Sequence, residues 1–171
     1  PEGSSVSISR NSNMVVGVHW NNLSDHRVDL DLKLMNKNEH FGWNASYYSG
    51  SGDIVFSGDL TDAPLPYGAT EVFLVTQSVN NRAFLLTLND FTQCKEEIPF
   101  ELFVAKFPDD TVDKHYIVDP NNVELLLHNK FENTDKQKAT PTLTLGYVEI
   151  TKNSIDISFK NFETIKGRVN K

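Results

Sequence analysis

The chain has 171 residues, a formal net charge of −7 and an isoelectric point near 5.1. A chain of this length fits one domain and buries about 70% of its unfolded surface, so it needs neither a disulfide nor a metal to form a core. The acidic balance argues against nucleic-acid binding, which requires a basic stripe, and it favours the attraction of cations.

The cysteine content and the hydropathy pattern bear on the cellular compartment and on membrane association. Cys94 is the only cysteine, so the chain forms no internal disulfide, which fits a reducing compartment such as the cytoplasm. No apolar run approaches the roughly 20 residues that cross a bilayer, and we expect no membrane partner. A start at Pro1 rather than Met is typical of a processed product or of one segment of a larger polypeptide.

The chain opens with a polar stretch and then changes to period-two alternation. Residues 1–13 are rich in Ser, Asn and Gly and are interpreted as a leader or linker, in which Val6 and Ile8 indicate a short edge strand. Residues 14–171 are interpreted as a single domain. The first alternating strand has an apolar face that consists of Met14, Val16, Val18 and Trp20.

The next strand, Val28–Leu34, alternates strictly between apolar and charged residues. Successive side chains of a strand point to opposite faces, so Asp29 and Asp31 share a face with Lys33. The two aspartates lie roughly 7 Å apart along the strand. Their like charges repel each other unless a positive group lies near them, so this face is a candidate cation site.

Further strands follow at close spacing. A Gly-rich connection at Ser49–Gly52 predicts a hairpin between residues 43–48 and 54–56. The remaining predicted strands are residues 71–76, 83–88, 101–106, 115–118, 123–127, 142–150 and 154–159. Residues 123–128 also fit one short helix, and residues 131–139 are interpreted as a solvated loop. About ten short strands predict an all-β sandwich.

A second group of acidic residues flanks a loop that contains two prolines and a glycine. Asp59 and Asp62 precede this loop, and Glu71 follows it. Calcium takes six to eight oxygen ligands and accepts irregular geometry, so a strand and a loop together can hold it. The residues alone leave two interpretations open, a calcium site or solvated carboxylates on the outer faces of strands.

Other chemistry finds little support. The five histidines lack zinc-ligand spacing, and His19 is predicted on the outer face of its strand. No nucleophile elbow or phosphate-binding loop is present, and the adjacent residues Ser24–His26 cannot form a triad. We therefore expect a protein that is not an enzyme. The aromatic residues that could form a sugar-binding platform are Trp20, Trp43, Tyr47 and Tyr48, although such residues are more often part of a core.

Several motifs in order resemble the tellurium-resistance TerD family. The strongest are a Val-His-Trp strand, the paired-aspartate strand, a Ser-Gly-Asp motif with the loop after it, and an apolar strand that follows the loop. In this chain they are Val18–Trp20, Val28–Leu32, Ser57–Pro64 and Gly68–Thr76. A closing pair, Leu145–Ile150 and Ile155–Phe159, is similar to the last hairpin of the family, and the resemblance covers most of Met14–Phe162.

The resemblance implies a β-sandwich that binds calcium through acidic side chains and has been linked to bacterial stress, tellurite resistance and phage-related systems. The implied ligands are Asp29, Asp31, Asp59 and Glu71, with Asp62 as an addition. The loop at residues 63–69 and Asn44 depart from the pattern by carrying fewer carboxylates, which predicts weak or lost calcium affinity and no second site.

We therefore expect a calcium-responsive module that presents an ordered loop to a protein partner of unknown identity. The first alternative is a metal-free structural or assembly domain of a larger polypeptide, for example from a phage or a cell surface. The second alternative is a carbohydrate-binding sandwich.

Overall fold

A computed structural model of the chain describes residues 4–92, 94–132, 141–159 and 166–169, the last range by its backbone. Within these ranges the protein is an all-β sandwich of two antiparallel sheets, as predicted. The described residues contain no α-helix, only a 3₁₀ turn at Pro120–Asn122. Accordingly, none of the described segments is a helix that could cross a bilayer.

The strands occur in chain order as β1 (Ser5–Ser9), β2 (Met14–Trp20), β3 (Leu30–Met35), β4 (His40–Phe41), β5 (Ile54–Phe56), β6 (Ala69–Val75), β7 (Arg82–Asp90), β8 (Ile98–Lys106), β9 (Val123–Phe131), β10 (Thr142–Ile150), β11 (Ser154–Phe159) and β12 (Lys166–Val169). Sheet A has the order β1-β11-β10-β7-β3-β4, and sheet B has the order β12-β9-β8-β2-β6-β5. The edge strand indicated by Val6 and Ile8 is β1, which pairs with β11.

The main core lies between the sheets and follows from the alternation in the sequence. From β2 it takes Met14, Val16, Val18 and Trp20, and from the opposite sheet it takes Leu30, Leu32 and Leu34 of β3. Trp20 is fully buried, and its indole N–H donates to the carbonyl of Val28 at 2.9 Å. That bond fixes the chain just before the paired aspartates.

Sheet B carries a second apolar layer on its outer face. Its centre includes Val15, Val72, Leu74 and Phe103, and the segment 107–122 covers it. Within that segment, Tyr116 stacks on Phe103 with ring centroids 6.5 Å apart. The central strands β2 and β6 are therefore buried on both faces.

The structure differs from two local predictions. Residues 43–48 are not a continuous strand, because residues 43–44 form a turn. The predicted hairpin is present only next to its connection, where Phe56 N–H donates to the Tyr47 carbonyl and Ser49 N–H donates to the Ile54 carbonyl. Residues 115–118 are not a strand, because they belong to the segment that covers sheet B. The predicted strand at 123–127 is confirmed as β9, Val123–Phe131, so the alternative of a short helix there is excluded. The predicted loop at 131–139 begins inside β9, and residues 133–140 of it lie outside the described part.

The close packing of β2 on β6 leaves no room for a side chain at Gly17. A Cβ at this position would lie 2.4 Å from the Val72 side chain and 2.5 Å from the Glu71 carbonyl, whereas a Cβ at Gly50 would meet nothing within 4 Å. We expect Gly17→Ala to lower the free energy of unfolding by about 1–3 kcal/mol in urea titrations, since overpacking forces the strands apart. Gly50→Ala is the matched control, and equal losses in the two variants would contradict this packing.

Candidate metal centre

The paired aspartates lie where β3 begins and β7 ends. Asp29 immediately precedes β3, and its carbonyl accepts a hydrogen bond from Phe91 N–H at 2.9 Å. Asp31 is the second residue of β3 and stands opposite Asn89 of β7. The strict alternation of the sequence turns Leu30 into the core and leaves both aspartates on the other face.

The Ser-Gly-Asp motif holds the third carboxylate in place. Ser57 exchanges two bonds with Val72, since its N–H donates to the Val72 carbonyl and its hydroxyl accepts from Val72 N–H. Gly58 has a φ of +118°, and a Cβ there would lie 2.8 Å from the side chain of Lys114. Only glycine fits such a position without strain. Asp59 comes directly after this bend.

Asp29, Asp31 and Asp59 form one cluster, in which one carboxylate oxygen from each lies within 4.8 Å of the others. Asp29 and Asp31 are 8% and 2% exposed. One buried oxygen of each of the three has no hydrogen-bond partner among the described residues. No Lys, Arg or His of the described part forms an ion pair with them either. Buried acceptors in this state require a proton or a cation.

An uncharged polar residue, Asn89, stands beside Asp31 in the strand register. Asn89 is 7% exposed, and its amide N–H donates to Thr142 while its buried amide oxygen has no partner in the described residues. Side chains directly opposite each other on antiparallel strands lie about 5 Å apart at Cβ, so Asn89 neighbours Asp31. Our sequence analysis missed Asn89, because its relevance depends on the pairing of β7 with β3.

Glu71 serves a different purpose from the three aspartates. It is fully buried on β6, and its two carboxylate oxygens accept backbone N–H bonds from Leu32 and Leu60, each at 3.0 Å. The short strand β4 pairs only with Leu34 and Met35, so Glu71 takes the place of a strand neighbour for Leu32. The Glu71 carboxylate therefore ties β6 of sheet B to β3 of sheet A and to the loop that carries Asp59.

Asp62, the remaining predicted ligand, lies apart from the cluster. It is exposed, and one of its oxygens accepts a hydrogen bond from the Asn22 amide at 2.7 Å. The structure thus brings together Asp29, Asp31 and Asp59, places Glu71 beside them with both oxygens engaged, and leaves Asp62 outside.

Burial and mutual repulsion shift the proton affinities of the cluster. Burial, followed by the charge of Asp59, raises the pKa of Asp29 to about 6. Burial and the neighbouring Asp29 charge also raise the pKa of Asp31. Burial raises the pKa of Glu71 well above its usual range, although its two backbone donors act in the opposite direction. All three shifts express the same need for positive charge.

The predicted aromatic residues do not form a platform. Trp20 is buried, Trp43 packs edge-on against Phe91 at 5.4 Å, and Tyr47 packs edge-on against Phe56 at 5.2 Å. Of the four, only Tyr48 is mainly exposed, at 64%.

Two comparisons with known proteins gave no relative. No protein-family model matches the sequence, and no curated protein is significantly similar to it.

Glu71→Gln tests whether this side chain acts as a structural tie. Glutamine keeps one acceptor but turns an NH₂ group towards the second backbone N–H, so a buried donor loses its partner. We expect a loss of about 1–3 kcal/mol in the free energy of unfolding, measured in urea with a chelator present. Asp62→Asn, a change of the same kind at an exposed site, should cost less than about 0.5 kcal/mol. Equal effects would show that Glu71 ties nothing.

The raised pKa values also predict how the stability of the cation-free protein depends on pH. The ordinary pKa of aspartate is 3.8, so above that pH the folded state holds protons on Asp29 and Asp31 that the unfolded state has released. Stability therefore falls as the pH rises from about 4 through 6 and beyond. Urea unfolding at pH 5 and pH 8 measures the slope, which should be shallower in Asp31→Asn. A wild-type stability that increases over this range would contradict the prediction.

Proposed function

We propose that this protein is a non-enzymatic calcium-binding module, as its resemblance to TerD domains implies. Asp29, Asp31 and Asp59 would hold the ion, with the amide oxygen of Asn89 as a neutral ligand. This donor set consists only of oxygen, which suits a hard cation such as calcium rather than zinc or copper. The bound ion would supply the positive charge that the three carboxylates lack.

The observation that carries the proposal is the group of buried oxygens without partners. Solvated carboxylates, the alternative left open by the sequence, would be exposed and hydrated, whereas Asp31 is 2% exposed. Protons can also neutralise the cluster, so proton and calcium binding are expected to compete. Calcium is favoured over magnesium because the ligands come from a strand and a loop, which suits irregular coordination better than strict octahedral geometry.

The loop that carries Asp59 supports a role in protein interaction. Its Leu65 and Tyr67 side chains are 73% and 76% exposed, although both are large and hydrophobic. Ordering of this loop would present them to a protein partner. The metal-free assembly domain remains the alternative, and it predicts the same surface without a response to calcium. The aromatic side chains that could form a sugar-binding platform do not share one exposed surface, so they do not support the sugar-binding alternative.

A thermal melt of chelator-stripped protein, with and without millimolar calcium, tests the proposal. Binding to the folded state alone adds RT ln(1 + [L]/Kd), about 2.7 kcal/mol when the ion is at 100 times its Kd. For a chain of this size we expect Tm to rise by about 5–10 °C, and by less with magnesium.

Two substitutions locate the effect within the molecule. Asp31→Asn should abolish the calcium shift, since it removes a central charge from the cluster. Asp62→Asn is the matched control in the loop that also carries Asp59 and should preserve the shift, because Asp62 lies outside the cluster. If calcium leaves the wild-type Tm unchanged, the metal-free interpretation replaces this proposal.

A further inference from the structure

The loop that delivers Asp59 is also attached to the outer face of sheet B, by a histidine. His19 of β2 lies between two groups, with Nδ1 3.2 Å from the Glu101 carboxylate and Nε2 2.7 Å from the Tyr67 carbonyl. Tyr67 belongs to the loop, whereas Glu101 stands opposite His19 on β8. The histidine ring is thus a bridge from the sheet to the loop.

Both partners of His19 can only accept hydrogen bonds. A carbonyl oxygen has no hydrogen to donate, and the pKa of Glu101 is lowered by its bond to His19, so this carboxylate is ionised. Neutral imidazole carries one N–H and can satisfy only one of the two acceptors. The imidazolium form carries two and satisfies both.

The attachment at this point is tight. Gly68, directly after Tyr67, has a φ of +69°, and a Cβ there would lie 2.3 Å from the Trp20 carbonyl and 2.8 Å from His19 Nε2. The middle of the loop is held separately, since the Asn22 side-chain oxygen accepts from Ala63 N–H at 3.0 Å. The contacts with the Trp20 carbonyl and the Asn22 side chain involve no titratable group. Glu71, whose pKa is raised, holds the start of the loop through Leu60 N–H, so His19 is the titratable attachment at the Tyr67 end of the loop.

The charged surroundings of His19 are simple. Across β8, the second Glu101 oxygen lies 3.5 Å from Nδ1 of His128 on β9, and Lys166 of β12 stands opposite His128 in the strand register. On the other side β6 places the uncharged Thr70 opposite His19. The nearest charge is therefore the Glu101 carboxylate, which favours the protonated ring.

We propose that His19, in its doubly protonated form, is a positioning residue that fastens the 57–68 loop and so supports the placement of Asp59 in the carboxylate cluster. The inference deepens the proposed function and rests on it for the site that is regulated. Near neutral pH the module would then respond to protons at two places with opposite effects. Acid empties the cluster of calcium by protonating its ligands, whereas loss of the His19 proton at higher pH loosens the loop that supplies one of them.

NMR titration of the cation-free, isotope-labelled chain tests this directly. The bond to Glu101, more than any other contact, raises the pKa of His19 above 6.5, so its ring signals should titrate above that value. The backbone amides of Tyr67 and Gly68 should shift with the same midpoint, and the Asp59 amide should show this transition in addition to the one that comes from the carboxylate cluster. Ring and loop signals that titrate independently would overturn the proposal, as would a His19 midpoint at or below 6.5.

Three variants separate positioning from simple packing. His19→Gln should remove the shared transition from the loop amides. Glu101→Gln keeps the side-chain shape and should lower the His19 midpoint and the loop midpoint together, which also serves if His19→Gln does not fold. His128→Gln, the control, should leave both transitions coupled. Because these readouts need no calcium, an absent calcium shift in the melts would refute the metal site while the titration still decides the role of His19.

Discussion

The arrangement of this molecule depends on one electrostatic constraint, the packing of three carboxylates within 4.8 Å of one another at the edge of a sheet. Like charges at this spacing in a poorly hydrated place repel strongly. The folded chain can hold them together only with bound protons or a bound cation. The hydrogen bond from Leu60 N–H to Glu71 and the bend at Gly58 hold the segment that carries Asp59 beside the other two carboxylates despite this repulsion.

Strand β7 begins with a basic residue and ends with an acidic one. At its first residue, Arg82 forms an ion pair with Glu39 and donates to both oxygens of Asp53 at 3.1 Å. At its last residue the strand ends on Asp90, whose oxygens accept the N–H groups of Thr92 and Cys94. One end of sheet A therefore has its acids paired with arginine, whereas at the other end no ion pair of the described residues holds Asp29, Asp31 or Asp59.

The features of the fold that depend on strict alternation could be predicted from the sequence. The burial of Leu30 and Leu32 and the shared face of Asp29 and Asp31 follow directly from period two, as does the outward position of His19. The acidic residues of the loop were a candidate group from the sequence alone, but separation along the chain says nothing about distance in space, so the pattern did not establish that Asp59 joins the cluster. The difference between Asp59 and Asp62 depends on Gly58 and Asn22, which the pattern of charges does not reveal.

The remaining features could not be predicted because they depend on contacts between distant parts of the chain. Glu71 resembles a ligand in the sequence, yet two backbone donors from other elements occupy its oxygens. Asn89 became relevant only when β7 was seen to pair with β3. The segment around Tyr116 alternates like a strand but packs as a cover, because the outer face of sheet B offers an apolar surface.

The position of Lys114, where it would meet a Cβ at Gly58, limits how far this carboxylate cluster can be transplanted. The three carboxylates occupy short stretches of chain that look easy to graft onto another sandwich. Their geometry, however, also depends on Glu71, a buried acid of sheet B, and on Lys114, which lies more than fifty residues further along the chain than Gly58. A host that receives these stretches alone would inherit the repulsion between the carboxylates without the surrounding structure that holds them together.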